Sequence, residues 1–197
     1  MRVYEYGRSM LEMMGVLTVI AMISVGGMVG YSKMMSQYRI NKAIEQIEAM
    51  ATQISAAGIE ANSYAGLTTE KAFKLGLIPS GIARKKSSDD YEFINPFGGN
   101  VEINPADNNL KYTITYTELP DDACMVLATH SWSGVATGKK GQKRASSLRS
   151  ITVSNGNTPL VNGKTTYYDS ISSAQITFSN AVNYCSGNNN SISFEYF

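Results

Sequence analysis

Residues 7–33 of this 197-residue chain read GRSMLEMMGVLTVIAMISVGGMVGYSK, and this stretch decides the architecture. After Glu12 the next charged side chain is Lys33, so the twenty residues from Met13 to Ser32 carry no charge. About 20 apolar residues span the hydrocarbon core of a bilayer as a helix. The stretch therefore predicts a helix of membrane-spanning length that has an acid at its start.

Three kinds of N-terminal segment share such an apolar run. A secretory signal peptide is cut after the run at small residues of the A-x-A kind, but residues 26–33 here read GGMVGYSK. A signal anchor stays uncut in the membrane. In the third alternative the chain is cut before the run, after Gly7, and the apolar helix remains in the mature protein.

The basic residues that flank the run leave its orientation in a membrane open, because they stand on both sides of it. They are Arg2, Arg8, Lys33, Arg39 and Lys42. The two cysteines, Cys124 and Cys185, give a clearer indication. A pair of cysteines in a loop-rich domain is typical of an oxidising compartment, which predicts that the C-terminal part lies outside the cytoplasm.

The helical pattern continues beyond the uncharged run in an amphipathic form. Apolar residues recur at three- and four-residue spacings between charged ones, namely at Ile40, Ile44, Ile47, Ala51 and Ile54. The first proline is Pro79, and Gly58 has the character of a helix stop. The sequence therefore predicts one helix over residues 9–57, whose second half packs on the rest of the chain.

Three glycines, Gly26, Gly27 and Gly30, lie near the end of the uncharged run. Gly26 and Gly30 have the G-x-x-x-G spacing that permits close helix contact in lipid. Glycine is also common in membrane helices, and each one weakens a helix by about 1 kcal/mol relative to alanine. The two interpretations are an ordinary membrane helix and a weak point where the helix loosens when it leaves the bilayer.

The remaining residues predict an α+β domain, with an antiparallel sheet packed on the second half of the long helix. The predicted helices are 67–75, which Gly76 would stop, one that opens at 120–122 and contains Cys124, and 171–185. The predicted strands are 91–94 and 101–103, joined as a hairpin through the turn at 96–99, then 111–117 and 192–196.

Residues that enzymes commonly use are scarce. His130 is the single histidine, and no G-x-S-x-G, Walker or H-E-x-x-H motif occurs. The acidic pairs at 89–90 and 121–122 are typical of a turn and a helix start. Two cysteines without further soft ligands do not make a metal site. The sequence therefore predicts no enzyme activity, no metal and no cofactor.

The N-terminal segment resembles the class III signal of type IV pilins, because Gly7 is followed by Arg8-Ser9-Met10-Leu11-Glu12 and an apolar helix. The resemblance implies that a prepilin peptidase cuts after Gly7 and methylates the amine of Arg8, which makes Glu12 the fifth mature residue. Segments 95–99, 119–124 and 181–185 and the alternating C-terminal strand resemble type IVb pilins, similar to those of conjugative thin pili and bundle-type pili.

This resemblance implies a division of the chain. Residues 1–7 are a leader, residues 8–57 are a spine helix whose part 8–32 is apolar, and residues 58–197 are a globular head. A Cys124–Cys185 disulfide would bound the region 124–185 and stabilise the head by about 4 kcal/mol in the chain-entropy model. The alternative is a pair of unlinked buried thiols.

Glu12 would be costly once it is packed among apolar helices, unless a cation lies beside it. In pilins this cation is the N-terminal amine of a neighbouring subunit, so the pair sets the axial register between subunits. Arg8 offers a second cation. The alternative is an interfacial acid stabilised at a helix N-terminus by the helix dipole.

A basic cluster lies between the cysteines, at Lys139, Lys140, Lys143, Arg144 and Arg149. It suits nucleic acid, an anionic polysaccharide or an acidic face of the next subunit, although a solvated loop is the simpler interpretation. The cluster has no interleaved aromatic residues, which argues against a stacking platform for single strands. Nucleic acid as a partner therefore stays open.

The leading functional hypothesis is a structural subunit of a type IVb-like pilus, a homo-oligomeric helical filament. It would lie in the inner membrane with its head in the periplasm, be processed by the peptidase, and pass through a pilus assembly platform into an extracellular filament. One alternative is a minor pilin or pseudopilin of a related pilus or type II secretion machine. Arg8 favours it, because the first mature residue of type IV pilins is usually apolar. The other alternative is a membrane-anchored monomeric binding domain.

Overall fold

The computed structural model describes residues 8–61, 63–87, 90–132, 148–155, 164–167 and 176–197. It divides into two compact units, Met1–Tyr38 and Arg39–Phe197. The described residues of the first unit form the beginning of one long helix, and those of the second unit contain the rest of that helix and the other described elements. The α+β class and the long N-terminal helix predicted from the sequence are confirmed.

The long helix, α1, extends over Arg8–Ala61 and is longer at its C-terminal end than predicted. The prediction that Gly58 stops it was wrong, because Gly58 is a buried residue inside the helix. A β-carbon at Gly58 would overlap the ring of Tyr64. Glycine is needed here for the close approach of an aromatic ring, a reason that the local sequence does not reveal.

Among the described residues, α1 is followed by three shorter helices and seven strands. The helices are α2 (Thr69–Lys74), α3 (Asp121–Thr129) and α4 (Phe178–Tyr184). The strands are β1 (Ala83–Lys85), β2 (Tyr91–Phe93), β3 (Val101–Ala106), β4 (Lys111–Leu119), β5 (Leu148–Ser154), β6 (Lys164–Tyr167) and β7 (Asn190–Tyr196). The structure confirms the helix predicted at 67–75, the helix predicted to open at 120–122, and the strands predicted at 111–117 and 192–196.

All strand pairs are antiparallel, and they form a two-stranded sheet, β1-β2, and a five-stranded sheet of order β3-β4-β7-β5-β6. Strand β7 lies in the middle of the larger sheet. Its Phe194 is opposite Ile114 of β4 on one side and Ile151 of β5 on the other. The sheet thus consists of two hairpins, β3-β4 and β5-β6, that β7 joins.

The predicted hairpin between 91–94 and 101–103 was wrong, because β2 pairs with β1 and β3 pairs with β4. Only an isolated bridge between Ile94 and Asn100 joins the two segments. Asn95 explains the change of direction. Its side-chain oxygen accepts the N–H groups of Phe97 and Gly99, and its amide donates to the carbonyl of Thr117 at 2.8 Å, which fixes the turn against β4.

Two further differences concern the region between the cysteines. The sequence predicted no strand there, whereas the region contributes β5 and β6 to the larger sheet. The helix predicted over 171–185 is observed as α4, which begins at Phe178, and residues 171–175 lie outside the described residues.

The second half of α1 packs on the larger sheet through the predicted apolar stripe. Its buried residues, which join one hydrophobic core with the sheet, include Ala43, Ile47, Met50, Ala51 and Ile54. The hydroxyl of Tyr112 on β4 donates to the carbonyl of Ala51 at 2.9 Å and lies 2.7 Å from the hydroxyl of Ser55. Burial raises the pKa of Tyr112 far above its usual value. The predicted packing of helix and sheet is confirmed.

Candidate assembly surface

The first half of α1 carries a large exposed apolar surface. In the isolated chain every large apolar side chain from Met10 to Tyr31 is exposed, and none of these side chains belongs to the hydrophobic core of the described residues. Among the described residues, α1 is the one helix that is long and apolar enough to cross a membrane, over Met10–Gly58. Exposed apolar surfaces of this extent mark contacts with a membrane or with other proteins.

The polar side chains in this segment are compatible with an apolar environment. The hydroxyls of Thr18, Ser24 and Ser32 donate to backbone carbonyls of their own helix at 2.8, 2.8 and 3.0 Å. A hydroxyl with a hydrogen-bond partner loses little when it leaves water. These hydrogen bonds were not predicted from the sequence, although Ser and Thr inside an apolar helix are the signal for them.

Glu12 is the one charged residue between positions 10 and 32. Its side chain is exposed, and it has no ion-pair partner among the described side chains of its own chain. The side chain of Arg8 and all of Gly7 lie outside the described residues. The described side chains therefore offer Glu12 no cation, and its pairing with Arg8 or with a neighbouring subunit stays a prediction.

The glycines of the apolar segment are not explained by packing within one chain. A β-carbon at Gly26, Gly27 or Gly30 would have no heavy atom within 4 Å. The helix is continuous through all three positions. Close contact with a neighbouring helix, a weak point in α1 and the ordinary glycine content of a membrane helix all stay open, so the roles of these glycines stay predictions.

In the head, Cys124 of α3 and Cys185 at the end of α4 form the predicted disulfide. The α-carbons are 5.7 Å apart, the two cysteines lie 61 positions apart in the chain, and both side chains are buried. The bridge links the two short helices beside the start of β7. The alternative of two unlinked thiols was wrong.

A second link beside this disulfide was not predicted. The carboxylate of Asp121 accepts the N–H of Asn188 at 2.8 Å and the side-chain amide of Asn190 at 2.7 Å. These hydrogen bonds lower the pKa of Asp121. Asn190 also donates to the carbonyl of Leu119 at 3.2 Å, so the start of α3 is tied to both β4 and β7.

The basic cluster is only partly described, since Lys139, Lys140, Lys143 and Arg144 lie outside the described residues. Arg149 is described and lies on β5. Its Nε is 3.7 Å from a carboxylate oxygen of Glu195, and its guanidinium lies 5.3 Å from the ring centre of Phe197. Arg149 thus packs against the end of β7.

His130 is part of the contact between α3 and α1. Its Nε2 is 3.8 Å from a carboxylate oxygen of Glu48, and its ring packs edge-on against Trp132 at 4.8 Å. In the part of the chain that the structure describes, no group of three His, Cys, Asp or Glu side chains is placed to hold a metal ion. The surroundings of His130 are those of a packing residue.

The apolar half of α1 is exposed and has Glu12 as its one acid, and the same chain carries an α+β head. These features define a membrane-associated or self-associating subunit. Comparison with known proteins agrees with this class. A family model described as "PilS N terminal" matches residues 37–196. The chain therefore belongs to the PilS N-terminal family, which confirms the resemblance to type IV pilins.

Two curated relatives are each called "Major structural subunit of bundle-forming pilus". One is from Escherichia coli O127:H6 (strain E2348/69 / EPEC) and the other from Escherichia coli O111:H-. Each is 31% identical over 137 residues, which cover 68% of this chain and 69% of the relative. A crystal structure of type IV b pilin from Salmonella typhi covers 77% of this chain and 97% of its own, with a TM-score of 0.48 and 18% identity.

Proposed function

We propose that this chain is a structural subunit of a type IVb-like pilus, which polymerises through α1 into an extracellular filament. The observation that carries the proposal is the exposed apolar half of α1 with Glu12 as its one acid, in a chain homologous to pilus subunits. Copies that meet through different surfaces form an open helix when the rotation between them does not close into a ring.

The driving force is the burial of apolar side chains against neighbouring copies. Each large side chain of this kind contributes about 1.5–3 kcal/mol when it is fully buried. Association costs about 4–15 kcal/mol in lost freedom of motion. Relative to water, a contact that buries many of the exposed residues of α1 therefore exceeds this cost and holds the filament together outside the membrane. While the subunit is still in lipid, which is as apolar as these side chains, association depends instead on close helix packing and on the Glu12 pair.

Glu12 would select one axial register from the many that apolar packing permits. A cation about 4 Å away contributes about 4 kcal/mol at an effective dielectric constant of about 20. The N-terminal amine of an adjacent copy is the natural partner, and Arg8 supplies a second cation. A shift of one helical turn would move the amine of the adjacent copy by about 5.4 Å, so that Glu12 would lose this partner among apolar residues and keep only Arg8 of its own helix.

The proposal includes a processing route. A prepilin peptidase would remove the leader 1–7 by cutting after Gly7 and methylate the amine of Arg8. The spine helix 8–57 would then hold the subunit in the inner membrane, with the head 58–197 in the periplasm, until an assembly platform adds it to the filament. A mass spectrum of the membrane-extracted chain should show Arg8 as the first residue, and a chain that still begins at Met1 would contradict this route.

The direct test of the assembly role is the substitution Glu12→Val in the full chain. We expect membrane insertion at the normal level and an almost complete loss of filaments, because the register pair is gone. Thr18→Val is the matched control, since the hydroxyl of Thr18 bonds only to its own helix, and it should assemble normally. Normal filaments from Glu12→Val would remove Glu12 from the mechanism.

A minor pilin or pseudopilin is the second candidate, favoured by one observation. Arg8 would be the first mature residue, where type IV pilins usually carry an apolar side chain. Quantitative mass spectrometry of purified filaments distinguishes the two candidates. A major subunit accounts for most of the filament mass, whereas a minor subunit is present at a small fraction of another pilin.

A further inference from the structure

A basic stretch without any acid follows the uncharged run of α1. Residues 31–42 read YSKMMSQYRINK and carry the cations Lys33, Arg39 and Lys42, and the next acid along the helix is Glu45. We call residues 31–42 the basic segment. The assembly mechanism proposed above uses none of its three cations.

The cations of the basic segment are exposed and are not neutralised within the described part of the chain. All three side chains are exposed, and none of them forms an ion pair with a described carboxylate. Lys111 of β4 shows the opposite arrangement, because it is almost buried and pairs with Asp107 and Glu195. The basic segment therefore presents its positive charge to another molecule.

Two tyrosines lie among these cations on one face of the helix. Tyr31 and Tyr38 are 68% and 59% exposed, and at about 3.6 residues per turn both Tyr38 and Lys42 lie within about 20° of Tyr31 around the helix. The buried Ile40 lies about 180° from Tyr31. Tyrosine is enriched at membrane–water interfaces, because its ring is apolar and its hydroxyl is polar. The outer face of the basic segment thus combines aromatic rings with positive charge.

The height of the basic segment relative to a bilayer follows from helix geometry. The uncharged run is about 30 Å long, which equals the hydrocarbon core and leaves Ser32 at its boundary, and the head groups add about 5–8 Å on each side. For a helix perpendicular to the bilayer, Lys33, Arg39 and Lys42 lie about 2, 11 and 15 Å beyond Ser32.

The two more distant cations can still act on the lipid phosphates. Side chains of a helix lean toward its N-terminus, which here is the direction of the bilayer, and Lys and Arg side chains are long. Electrostatic attraction extends over about 8 Å at physiological ionic strength. All three cations of the basic segment are therefore within reach of the head-group layer.

We propose that the basic segment binds the anionic head groups of phospholipids before the subunit is assembled. The inference rests on the proposed function, which places the uncharged run in lipid. The ammonium and guanidinium groups donate hydrogen bonds to phosphate oxygens, and the tyrosine rings lie at the level of the head groups. The contact holds the unassembled subunit at a membrane surface of negative charge and is given up when the subunit enters the filament.

Charge and continuity favour a lipid surface as the occupant. The basic segment has three cations and no acid, which is complementary to a layer of anionic phosphates. It continues without a break in α1 from the uncharged run, so it is the first part of the chain beyond the hydrocarbon core. An acidic face of a second copy is the other occupant with suitable charge, and the test below distinguishes the two.

Two variants of the full chain remove the same amount of charge from different places. The triple variant carries Lys33→Gln, Arg39→Gln and Lys42→Gln, since glutamine is also a good helix former. The matched control replaces the three consecutive exposed cations at 84–86, on and next to β1 of the head, by glutamine. The basic residues before the uncharged run are kept in both variants, so their contribution is constant.

The measurement uses one copy of the full chain in each lipid nanodisc of phosphatidylcholine. Electron spin resonance of a spin-labelled lipid gives the fraction of that lipid which the protein immobilises. Comparison of labelled phosphatidylglycerol with labelled phosphatidylcholine then gives the preference for the anionic head group. A nanodisc with a single copy excludes contacts between subunits.

We expect the wild type and the matched control to prefer phosphatidylglycerol by at least about threefold. The triple variant should lose most of this preference, and the wild type should lose it in 1 M salt, where the screening length falls to about 3 Å. Should the triple variant unfold at a lower temperature than the control, the salt dependence of the wild type decides.

Two results would overturn the inference. One is an equal preference for phosphatidylglycerol in the wild type and the triple variant. The other is a triple variant that keeps the lipid preference but forms no filaments, because its cations would then serve a second copy. A wild-type chain that does not insert into nanodiscs would contradict the membrane stage of the proposed function, and this inference would fall with it. Insertion without a lipid preference would contradict this inference alone.

Discussion

Replacement of Gly58 by alanine tests whether the close approach of Tyr64 to α1 stabilises the head. A β-carbon at this position would overlap the ring of Tyr64. That ring packs on Tyr112 with centres 4.8 Å apart, and its hydroxyl donates to the carbonyl of Phe197 at 3.1 Å. To accept the methyl group, Tyr64 must move and give up part of both contacts.

The expected magnitude follows from three opposing contributions. Alanine improves helix propensity over glycine by about 1 kcal/mol. Forcing an extra carbon into a packed site costs about 1–3 kcal/mol, and loss of the Tyr64 hydrogen bond costs about 1 kcal/mol. The net change is a loss of about 1–3 kcal/mol in the free energy of unfolding, although propensity alone predicts a gain.

The assay is thermal unfolding of the full chain in detergent, where each kcal/mol corresponds to about 2–4 °C in Tm for a domain of this size. In a Tyr64→Ala background the obstacle is gone, so Gly58→Ala should there raise Tm. The control Gly15→Ala, where a β-carbon meets no atom within 4 Å, should not lower Tm. A rise in Tm for Gly58→Ala in the wild-type background would refute the reasoning.

Two further predictions concern the links at the start of β7. Replacing Cys124 and Cys185 by serine should reduce the free energy of unfolding by about 4 kcal/mol in the chain-entropy model, measured by urea unfolding, and an unchanged midpoint would show that the bridge does not constrain the unfolded chain. Hydrogen bonds from the Asn188 N–H and the Asn190 amide lower the pKa of Asp121 in the folded state. The stability that ionised Asp121 contributes is therefore present above the pKa of the unfolded chain. It is lost as the pH falls through the lower pKa of the folded state. Asp121→Asn should therefore flatten the fall in stability below about pH 4, and an unaltered pH profile would contradict the link.

The long helix could be predicted from sequence because its signals are local. The uncharged run, the three- and four-residue stripe and the lack of proline before Pro79 all depend on neighbouring residues. The error at Gly58 has the opposite origin. Its partner, Tyr64, lies beyond the end of the helix, and the fold decides that the ring rests on the helix backbone.

Strand β5 was not predicted, because its apolar residues do not occur at every second position as they do in a regular half-buried strand. Leu148 and Ile151 are three residues apart, yet both are buried. The pairing of β5 with β7 shifts register between Leu148 and Ser150, and such a bulge inserts an extra residue that breaks the alternation. The pattern was thus interrupted by the irregularity that lets the strand fit beside β7.

The candidate site also has one part that the local sequence predicts and one part that only the fold determines. The role of Glu12 depends on a short local register, which a resemblance can identify. The link between Asp121 and Asn190 joins residues 69 positions apart, and no local signal pairs them. Contacts of this kind are set by the sheet order, which places the start of β7 beside the end of β4.

The position of β7 also has a consequence for the order in which the head folds. A chain is synthesised from its N-terminus, so β3-β4 and β5-β6 exist as separate hairpins until β7 follows them. Contacts between distant parts of the sequence form slowly. Until Asn190–Tyr196 inserts, β4 and β5 each present an unpaired edge, and open edges of this kind promote aggregation. A chain interrupted before β7 would therefore be a target for chaperones and proteases, and the last strand acts as a checkpoint for a complete subunit.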